Sequence, residues 1–513
     1  HKPVVAHGGY FISGKFDQFR RSIPYSAINQ ALRELMRQIL TESETRIAQW
    51  RTKLLKALGP NGQLIIDAIP ELEFVIGKQP AAPMLGATRN SFHYTMQNFV
   101  GVFTQSDHPI VLFLDDLQWA DAASLKLISL LMKNLDSPSL LPICAYRSNE
   151  VDVSHPLTVV FDQIRKDVPV ITVELSALEE ENIVELLADT LRREVVEVRP
   201  LAKLIYRKTL GNPFFINQFI KNLHAERMLT FDDGQWQWDL HRIRTSDITD
   251  NVIDLLMKEM SRLSPDTHRL LTIAACIGSR FDLQTLSIVS EKSEGEISEL
   301  LQDAIQAGLI QPSENKVAAS TVVSYSYQFL HDRVQQAAYE RIARAETNAI
   351  HLQIGRLLMS SLTQSEREEA IFDIVDHLNQ GRALLVTAEE KRELADLNLL
   401  AAKRARQSAA MDVHRDCVEI ARDLGTVVDW RSKQCFMHEL YMELINAAFA
   451  RADYREMERL CQIVCQNSTT PLESVAAMDY LIRCYGAVYK PKELMQTGIE
   501  MMEIAGIKVP KNL

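Results

Sequence analysis

The fold is decided by residues 110–121, which read Ile-Val-Leu-Phe-Leu-Asp-Asp-Leu-Gln-Trp-Ala-Asp. The first five are apolar, and such a strand is expected where both of its faces are covered, as in the middle of a parallel α/β sheet. Two adjacent carboxylates, Asp115 and Asp116, end the run. They fall at the carboxyl edge of the predicted sheet, where ligands bind. A buried strand followed by a solvated turn is the alternative that the run alone leaves open.

The residues that follow the strand narrow the interpretation. Leu114 to Asp121 resembles the Walker B region of the STAND class of AAA+-related signalling ATPases. More narrowly, it is similar to the ATPase module of multi-domain sensor histidine kinases and serine/threonine kinases. The resemblance implies that the cofactors are ATP or ADP with Mg²⁺. Asp115 would be the metal ligand and Asp116 would orient the attacking water, so both would be catalytic.

Four further segments match the same family in the same order. Residues 9–19 resemble the second strand of the module, and residues 145–150 resemble the end of its sensor 1 strand. Residues 211–215 resemble the lid motif, and residues 330–333 resemble the His-Asp motif that closes a winged-helix domain. Each motif is short, but an ordered series of this length is hard to obtain by chance.

These motifs supply the remaining candidate site residues. Arg147 follows a predicted strand, where a guanidinium can pair with the γ-phosphate in a bidentate way; the alternative is a surface arginine paired with Glu150. The resemblance implies that Gly211 and Pro213 contact the nucleotide, with Pro213 against the adenine base. It also implies that His331 lies near the β-phosphate of ADP. The alternatives are a proline that only starts a helix and a histidine that only caps one.

The Walker A loop is the motif that the sequence lacks. Residues 9–15 have the Gly-x4-Gly-Lys spacing, but Phe16 stands where Ser or Thr is required, and Tyr10 to Ile12 is typical of a strand. We expect the first strand and the Walker A loop to precede His1, so that the chain is an internal fragment of a longer protein. Since that strand lies inside the sheet in this family, the fragment should expose an apolar strand edge and be poorly soluble.

Composition excludes several function classes. The 513 residues include 56 basic and 67 acidic side chains, a formal charge of −11, which argues against a nucleic-acid surface. Seven scattered cysteines favour a reducing compartment. No run approaches the roughly 18 apolar residues of a membrane span, and the N-terminus does not read as a signal peptide. We therefore expect a cytoplasmic chain.

The alternation of β-rich and helical segments predicts an α/β P-loop NTPase core with an incomplete parallel sheet. The β-rich runs are residues 3–13, 110–115, 141–147 and 169–175, and residues 59–88 are expected to be a loop-rich insertion. An all-α lid, a winged-helix-like domain and tetratricopeptide-like (TPR-like) helical repeats follow. The predicted domains are residues 1–175, 176–245, 246–345 and 346–513. In the third of them, Glu294 to Ile305 is acidic, which disfavours DNA binding.

The predicted function is an ATP/ADP-binding STAND-type regulatory module of a multi-domain signalling kinase, coupling nucleotide state to output. ATP hydrolysis is expected of the full-length protein and not of the fragment. Expected partners are the nucleotide, proteins bound by the repeats, kinase domains of the same full-length chain and, on nucleotide binding, further copies. A non-hydrolysing interaction scaffold and, less favoured, a winged-helix transcription regulator are the alternatives.

Overall fold

The chain divides into two compact units. The first combines residues 1–170 with 351–513, and the second comprises residues 171–350. The computed structural model describes residues 8–80, 89–104, 108–134, 139–245, 260–316, 324–340, 344–425, 430, 434–504 and 506–507. Part of the predicted strand 3–13 lies outside these ranges. The winged-helix interpretation of residues 246–345 includes a helix near residues 250–263, and most of that helix lies outside them as well.

The sheet of the first unit has three parallel strands in the order β1-β2-β3. They are β1 (Tyr10–Lys15), β2 (Ile110–Asp115) and β3 (Leu140–Cys144). The register places Lys15 opposite Asp115, so the ends of β1 and β2 meet at the same edge. The predicted fold class, a parallel α/β core followed by a largely helical chain, is confirmed.

Helix α1 (Ser26–Leu40) covers β1. Its apolar residues recur every three or four positions and are buried, which gives it one face for the sheet: Ala27, Ile28, Ala31, Leu32, Leu35, Met36 and Ile39. The backbones approach so closely that a Cβ on Gly14 would lie 1.9 Å from the carbonyl oxygen of Ala27. Glycine at position 14 is therefore required by packing.

Further helices complete the α/β part of the first unit. They are α2 (Glu44–Leu58), α3 (Gly62–Ile66), α4 (Leu72–Ile76), α5 (Arg89–Phe103), α6 (Ala122–Asn134) and α7 (Pro156–Ile164). The expectation of a loop-rich insertion at residues 59–88 was wrong for its described part, because α3 and α4 lie there. Their apolar side chains, such as Ile65 and Leu72, are buried in the core and fix these short helices despite the flanking prolines.

One edge of the sheet is open in the described chain. Strand β3 pairs there only with β2, and two of its apolar side chains are exposed, Leu141 by 57% and Ile143 by 42%. The predicted β-rich run at residues 169–175 does not form a strand. It pairs with no strand among the described residues, and Ile171 and Leu175 are each 90% exposed. A strand without a ladder partner is not stable in water.

The C-terminal part of the first unit consists of helices. They are α16 (Arg344–Ser361), α17 (Gln364–Glu369), α18 (Ile371–Gly381), α19 (Ala388–Gln407), α20 (Met411–Gly425), α21 (Gln434–Ala450), α22 (Tyr454–Asn467), α23 (Pro471–Ala487) and α24 (Pro491–Ile504). From α18 onward each helix packs on the next. Tyr454 is the first residue of α22, and the small side chain of Ala448 is buried in the repeat core. These are helical repeats.

The second unit begins with α8 (Glu180–Leu191), α9 (Val195–Thr209), α10 (Pro213–Ala225), the hairpin of β4 (Leu229–Asp232) with β5 (Gln235–Trp238), and α11 (Leu240–Thr245). It continues through α12 (Pro265–Ile277), β6 (Arg280–Asp282), α13 (Leu283–Ser290), α14 (Glu294–Gln306), β7 (Ile310–Lys316), β8 (Ser324–Phe329) and α15 (Asp332–Glu340). The three strands β6, β8 and β7 form an antiparallel sheet in that order. The described part of residues 246–345 thus contains helices and a three-stranded antiparallel sheet, and the winged-helix-like domain stays a prediction.

Within the described ranges, no helix combines the length and the apolar character needed to cross a membrane.

Candidate functional site

The candidate site lies where β2 ends. Asp115 is the last residue of the strand, and Asp116 turns the chain away with a left-handed backbone, φ 54° and ψ 45°. Such a backbone costs about 1 kcal/mol or more in a residue other than glycine, although aspartate tolerates it better than most. The backbone N–H of Asp116 donates to Oδ1 of Asp115 at 3.0 Å, which ties the two acids together.

Both carboxylate oxygens of Asp116 are engaged. Lys15 places Nζ 3.0 Å from Oδ2. The Gln118 side chain donates from Nε2 to Oδ1 at 2.9 Å, and Arg147 places Nε 3.6 Å from the same oxygen. Because the side chain of Asp116 is only 7% exposed, these contacts replace the water that the charge loses on burial.

Asp115 is the more accessible acid. Its side chain is 38% exposed, and its Oδ2 lies 3.9 Å from Nζ of Lys15. Burial raises the pKa of Asp115, and the neighbouring charge of Asp116 raises it further, while Lys15 and Arg147 act in the opposite direction. A carboxylate with partial solvent access beside a second acid is suited to a divalent cation.

Arg147 follows β3 and reaches the acids from the other side. Its backbone N–H donates to Oε1 of Gln118 at 3.3 Å, and its guanidinium lies 5.3 Å from the ring centre of Trp119. Nη1 also donates to Glu150 at 3.3 Å. Arg147 therefore pairs with Glu150 and also lies beside the acids.

Lys15 was not among the predicted site residues. In residues 9–15 the structure has strand β1 where a phosphate loop would need consecutive free N–H groups. The lysine instead reaches the acids across the parallel pair of strands. The sequence did contain a hint of this contact, because the carboxyl ends of neighbouring parallel strands share one edge of the sheet. Assigning Lys15 to the site also required the strand register, which pairs Lys15 with Asp115.

The second unit contains the other predicted residues. Gly211 has φ +76°, and a Cβ there would lie 2.0 Å from the carbonyl oxygen of Leu178. Asn212 accepts hydrogen bonds from the N–H groups of Phe214 and Phe215, and Pro213 is the first residue of α10. Backbone geometry and capping thus account for Gly211 and Pro213 without a ligand.

His331 stands just before α15. Its Nδ1 lies 2.7 Å from Oδ1 of Asp332 and 3.1 Å from the backbone N of Arg333. Its ring centre is 4.5 Å from that of Phe214, the residue after Pro213. The lid motif and the His-Asp motif, distant in sequence, therefore meet within the second unit.

The structure thus gathers Asp115, Asp116 and Arg147 in the first unit, together with Lys15 and Gln118. Gly211, Pro213 and His331 belong to the second unit. Among the described residues, no group of three or more His, Cys, Asp or Glu side chains could hold a metal ion. Mg²⁺ does not need such a group, since it commonly binds one or two carboxylates together with phosphate and water oxygens.

Comparison with known proteins finds a similarity for part of the chain. Residues 1–143 match the AAA ATPase domain. The match includes Lys15, Asp115 and Asp116 and ends before Arg147. This part of the chain is therefore similar to an ATPase domain, in agreement with the geometry at the end of β2.

Two curated relatives are signalling histidine kinases. The chain is 26% identical to hybrid signal transduction histidine kinase G of Dictyostelium discoideum, over 98% of the chain and 18% of the relative. It is 24% identical to peroxide stress-activated histidine kinase mak2 of Schizosaccharomyces pombe, over 46% of the chain and 11% of the relative. The chain thus spans less than a fifth of the length of these proteins.

One solved structure is a STAND protein with a tetratricopeptide repeat sensor from Pyrococcus horikoshii. It superposes with a TM-score of 0.41 at 12% identity, over 98% of this chain and 69% of that one.

Proposed function

We propose that this chain is the ATP- or ADP-binding regulatory module, of the STAND type, of a larger signalling protein, and that nucleotide state is coupled to the output of an attached kinase. The observation that carries the proposal is the gathering of two acids and two cations, Asp115, Asp116, Lys15 and Arg147, at the carboxyl edge of a parallel sheet. The similarity of residues 1–143 to the AAA ATPase domain and the names of the relatives support it.

The residues present suit a magnesium nucleotide. Asp115 offers an accessible carboxylate to the cation, and the guanidinium of Arg147 can pair with phosphate oxygens. Asp116 would orient the attacking water once one of its oxygens is released from the contacts of the observed arrangement. Bound Mg²⁺ would supply charge neutralisation at the phosphates. In the proposal Gly211 and Pro213 contact the nucleotide, with Pro213 against the adenine base, and His331 lies near the β-phosphate of ADP.

The phosphate loop is the part that the described residues do not supply, because Tyr10–Lys15 forms a strand. The open edge of β3, with Leu141 and Ile143 exposed, supports the idea that one more parallel strand completes the sheet and carries this loop. Such a strand would end beside Arg147 and the acids.

Isothermal titration calorimetry with Mg-ATP and Mg-ADP tests the proposal. We expect binding by a chain extended upstream to include a phosphate loop, a loss of at least about tenfold in Mg²⁺-dependent affinity on Asp115→Ala, and no change on Asp162→Ala. Asp162 lies on α7 with a 61% exposed side chain and serves as the control. Absence of nucleotide binding by the extended chain would refute the proposal.

A non-hydrolysing scaffold is the second candidate. It is favoured by the engagement of both oxygens of Asp116, which leaves neither free for water in the observed arrangement. In that case the α/β part would serve to hold the helical repeats, and the extended chain would show no titratable nucleotide site.

A further inference from the structure

The ammonium group of Lys15 occupies the place next to the two acids that a cation would take. Its Nζ lies 3.0 Å from Oδ2 of Asp116 and 3.9 Å from Oδ2 of Asp115. Among the described residues, Lys15 is the partner of Oδ2 of Asp116, whereas Oδ1 contacts Gln118 and Arg147. Whether Oδ2 can bind another group therefore depends on the position of the Lys15 ammonium.

The backbone around Lys15 is firmly held. Its N–H donates to Oε1 of Gln30 on α1 at 3.2 Å, and the N–H of Phe16 donates to the carbonyl of Asp115 at 3.1 Å. Phe16 is 1% exposed and anchors the chain directly after the lysine. The side chain of Lys15 is a third exposed, so its flexible stem can move while its Cα stays in place.

We propose that Lys15 is a positioning residue that acts as a substitute cation. Without a bound metal it neutralises the acid pair and holds Oδ2 of Asp116. When a divalent cation binds Asp115, repulsion between the two positive charges displaces the ammonium and frees Oδ2 to accept a hydrogen bond from water. The inference deepens the proposed function and rests on it for the identity of the metal site.

The inference predicts that the lysine and a divalent cation compete. Removing the ammonium should therefore raise the affinity of the acid pair for metal, whereas a lysine with only a structural role would leave that affinity unchanged or lower it. Electron paramagnetic resonance measures this affinity directly, because the spectrum gives the concentration of free Mn²⁺. The measurement needs neither nucleotide nor catalytic turnover.

We expect Lys15→Gln to bind Mn²⁺ about tenfold more tightly than the wild-type chain. Lys15→Arg, which keeps the charge, should remain near wild type, and Lys15→Gln combined with Asp115→Ala should lose the gain. Lys56→Met, at an exposed position of α2, is the control for removing a positive charge elsewhere.

Equal Mn²⁺ affinity in the Lys15→Gln and wild-type chains, or no binding by either, overturns the inference. If Lys15→Gln is too unstable to purify, the same comparison is made in an Asp116→Asn background, where no buried carboxylate loses its partner. Loss of nucleotide binding in the calorimetry above would instead count against the proposed function, so the two failures are distinguishable.

Discussion

At the scale of single residues, the close approach of α1 to β1 requires glycine at position 14. We expect Gly14→Ala to lower the free energy of unfolding by about 3 kcal/mol, since a methyl group 1.9 Å from a backbone carbonyl oxygen forces β1 and α1 apart. Gly498→Ala in α24 is the matched control: a Cβ there meets nothing within 4 Å, and alanine should stabilise the helix by about 0.5–1 kcal/mol. Urea unfolding of both variants checks this, and equal effects would contradict it.

The sequence predicted the residues whose chemistry is visible in their own neighbourhood. Asp115 and Asp116 follow an apolar run, and Arg147 follows the next strand, so their meeting required only that the strands be parallel and adjacent. Lys15 could not be assigned in this way. Its role depends on which residue of β2 it faces, and sequence spacing does not determine register between strands that are far apart in the chain.

At the scale of elements, α16 and α18 meet through a buried histidine pair. Nδ1 of His351 lies 2.8 Å from Nδ1 of His377, the rings stack with centres 5.0 Å apart, and both side chains are almost fully buried. Burial lowers the pKa of His351 to about 4. It also lowers the pKa of His377, to which the charges of His351 and Arg20 add. One ring must accept the hydrogen bond, and protonation would abolish that acceptor.

This pair makes stability depend on pH with a defined sign. Well above pH 6.5 the histidines are neutral in both the folded and the unfolded chain. As the pH falls through 6.5, His351 becomes protonated in the unfolded chain but stays neutral in the folded chain until about pH 4. The free energy of unfolding therefore decreases with falling pH, by up to about 3 kcal/mol. We expect His351→Gln to lose less stability than wild type between pH 7.5 and 5 in urea unfolding. His241→Gln, at an exposed position, should keep the wild-type slope; identical slopes in all three chains would contradict the expectation.

Elements were predictable where a pattern was complete within them. The apolar run of β2 and the periodic apolar face of α1 need no other information. Residues 169–175 have a β-rich composition, yet strand formation requires a partner, which the described chain does not provide. Helices α3 and α4 were missed for the opposite reason: prolines and glycines suggested loops, whereas burial of a few apolar side chains in the core stabilises short helices there.

At the scale of the whole first unit, the helical repeats pack on the α/β core. Ala405 and Ala410 belong to the same buried cluster as the sheet residues, and Phe372 packs against it. Oη of Tyr25 donates to the carbonyl of Ser408 at 2.6 Å, while the N–H of Tyr25 donates to Oδ2 of Asp121 at 3.3 Å. Tyr25 thus links Asp121, the last residue of the stretch 110–121, to Ser408 of the repeats by two hydrogen bonds.

Part of the stability of the sheet should therefore come from the repeats. A chain ending at Glu340 loses this apolar packing and leaves the hydroxyl of Tyr25, a residue 1% exposed in the intact unit, without its Ser408 partner. We expect the protection of the β1–β3 amides against hydrogen exchange to fall by about 3 kcal/mol. A chain ending at Lys490 removes only α24, which packs on α23, and should keep the protection of the sheet. Equal protection in the two truncated chains would show that the core is stable independently of the repeats, and the path through Tyr25 would then carry no coupling energy.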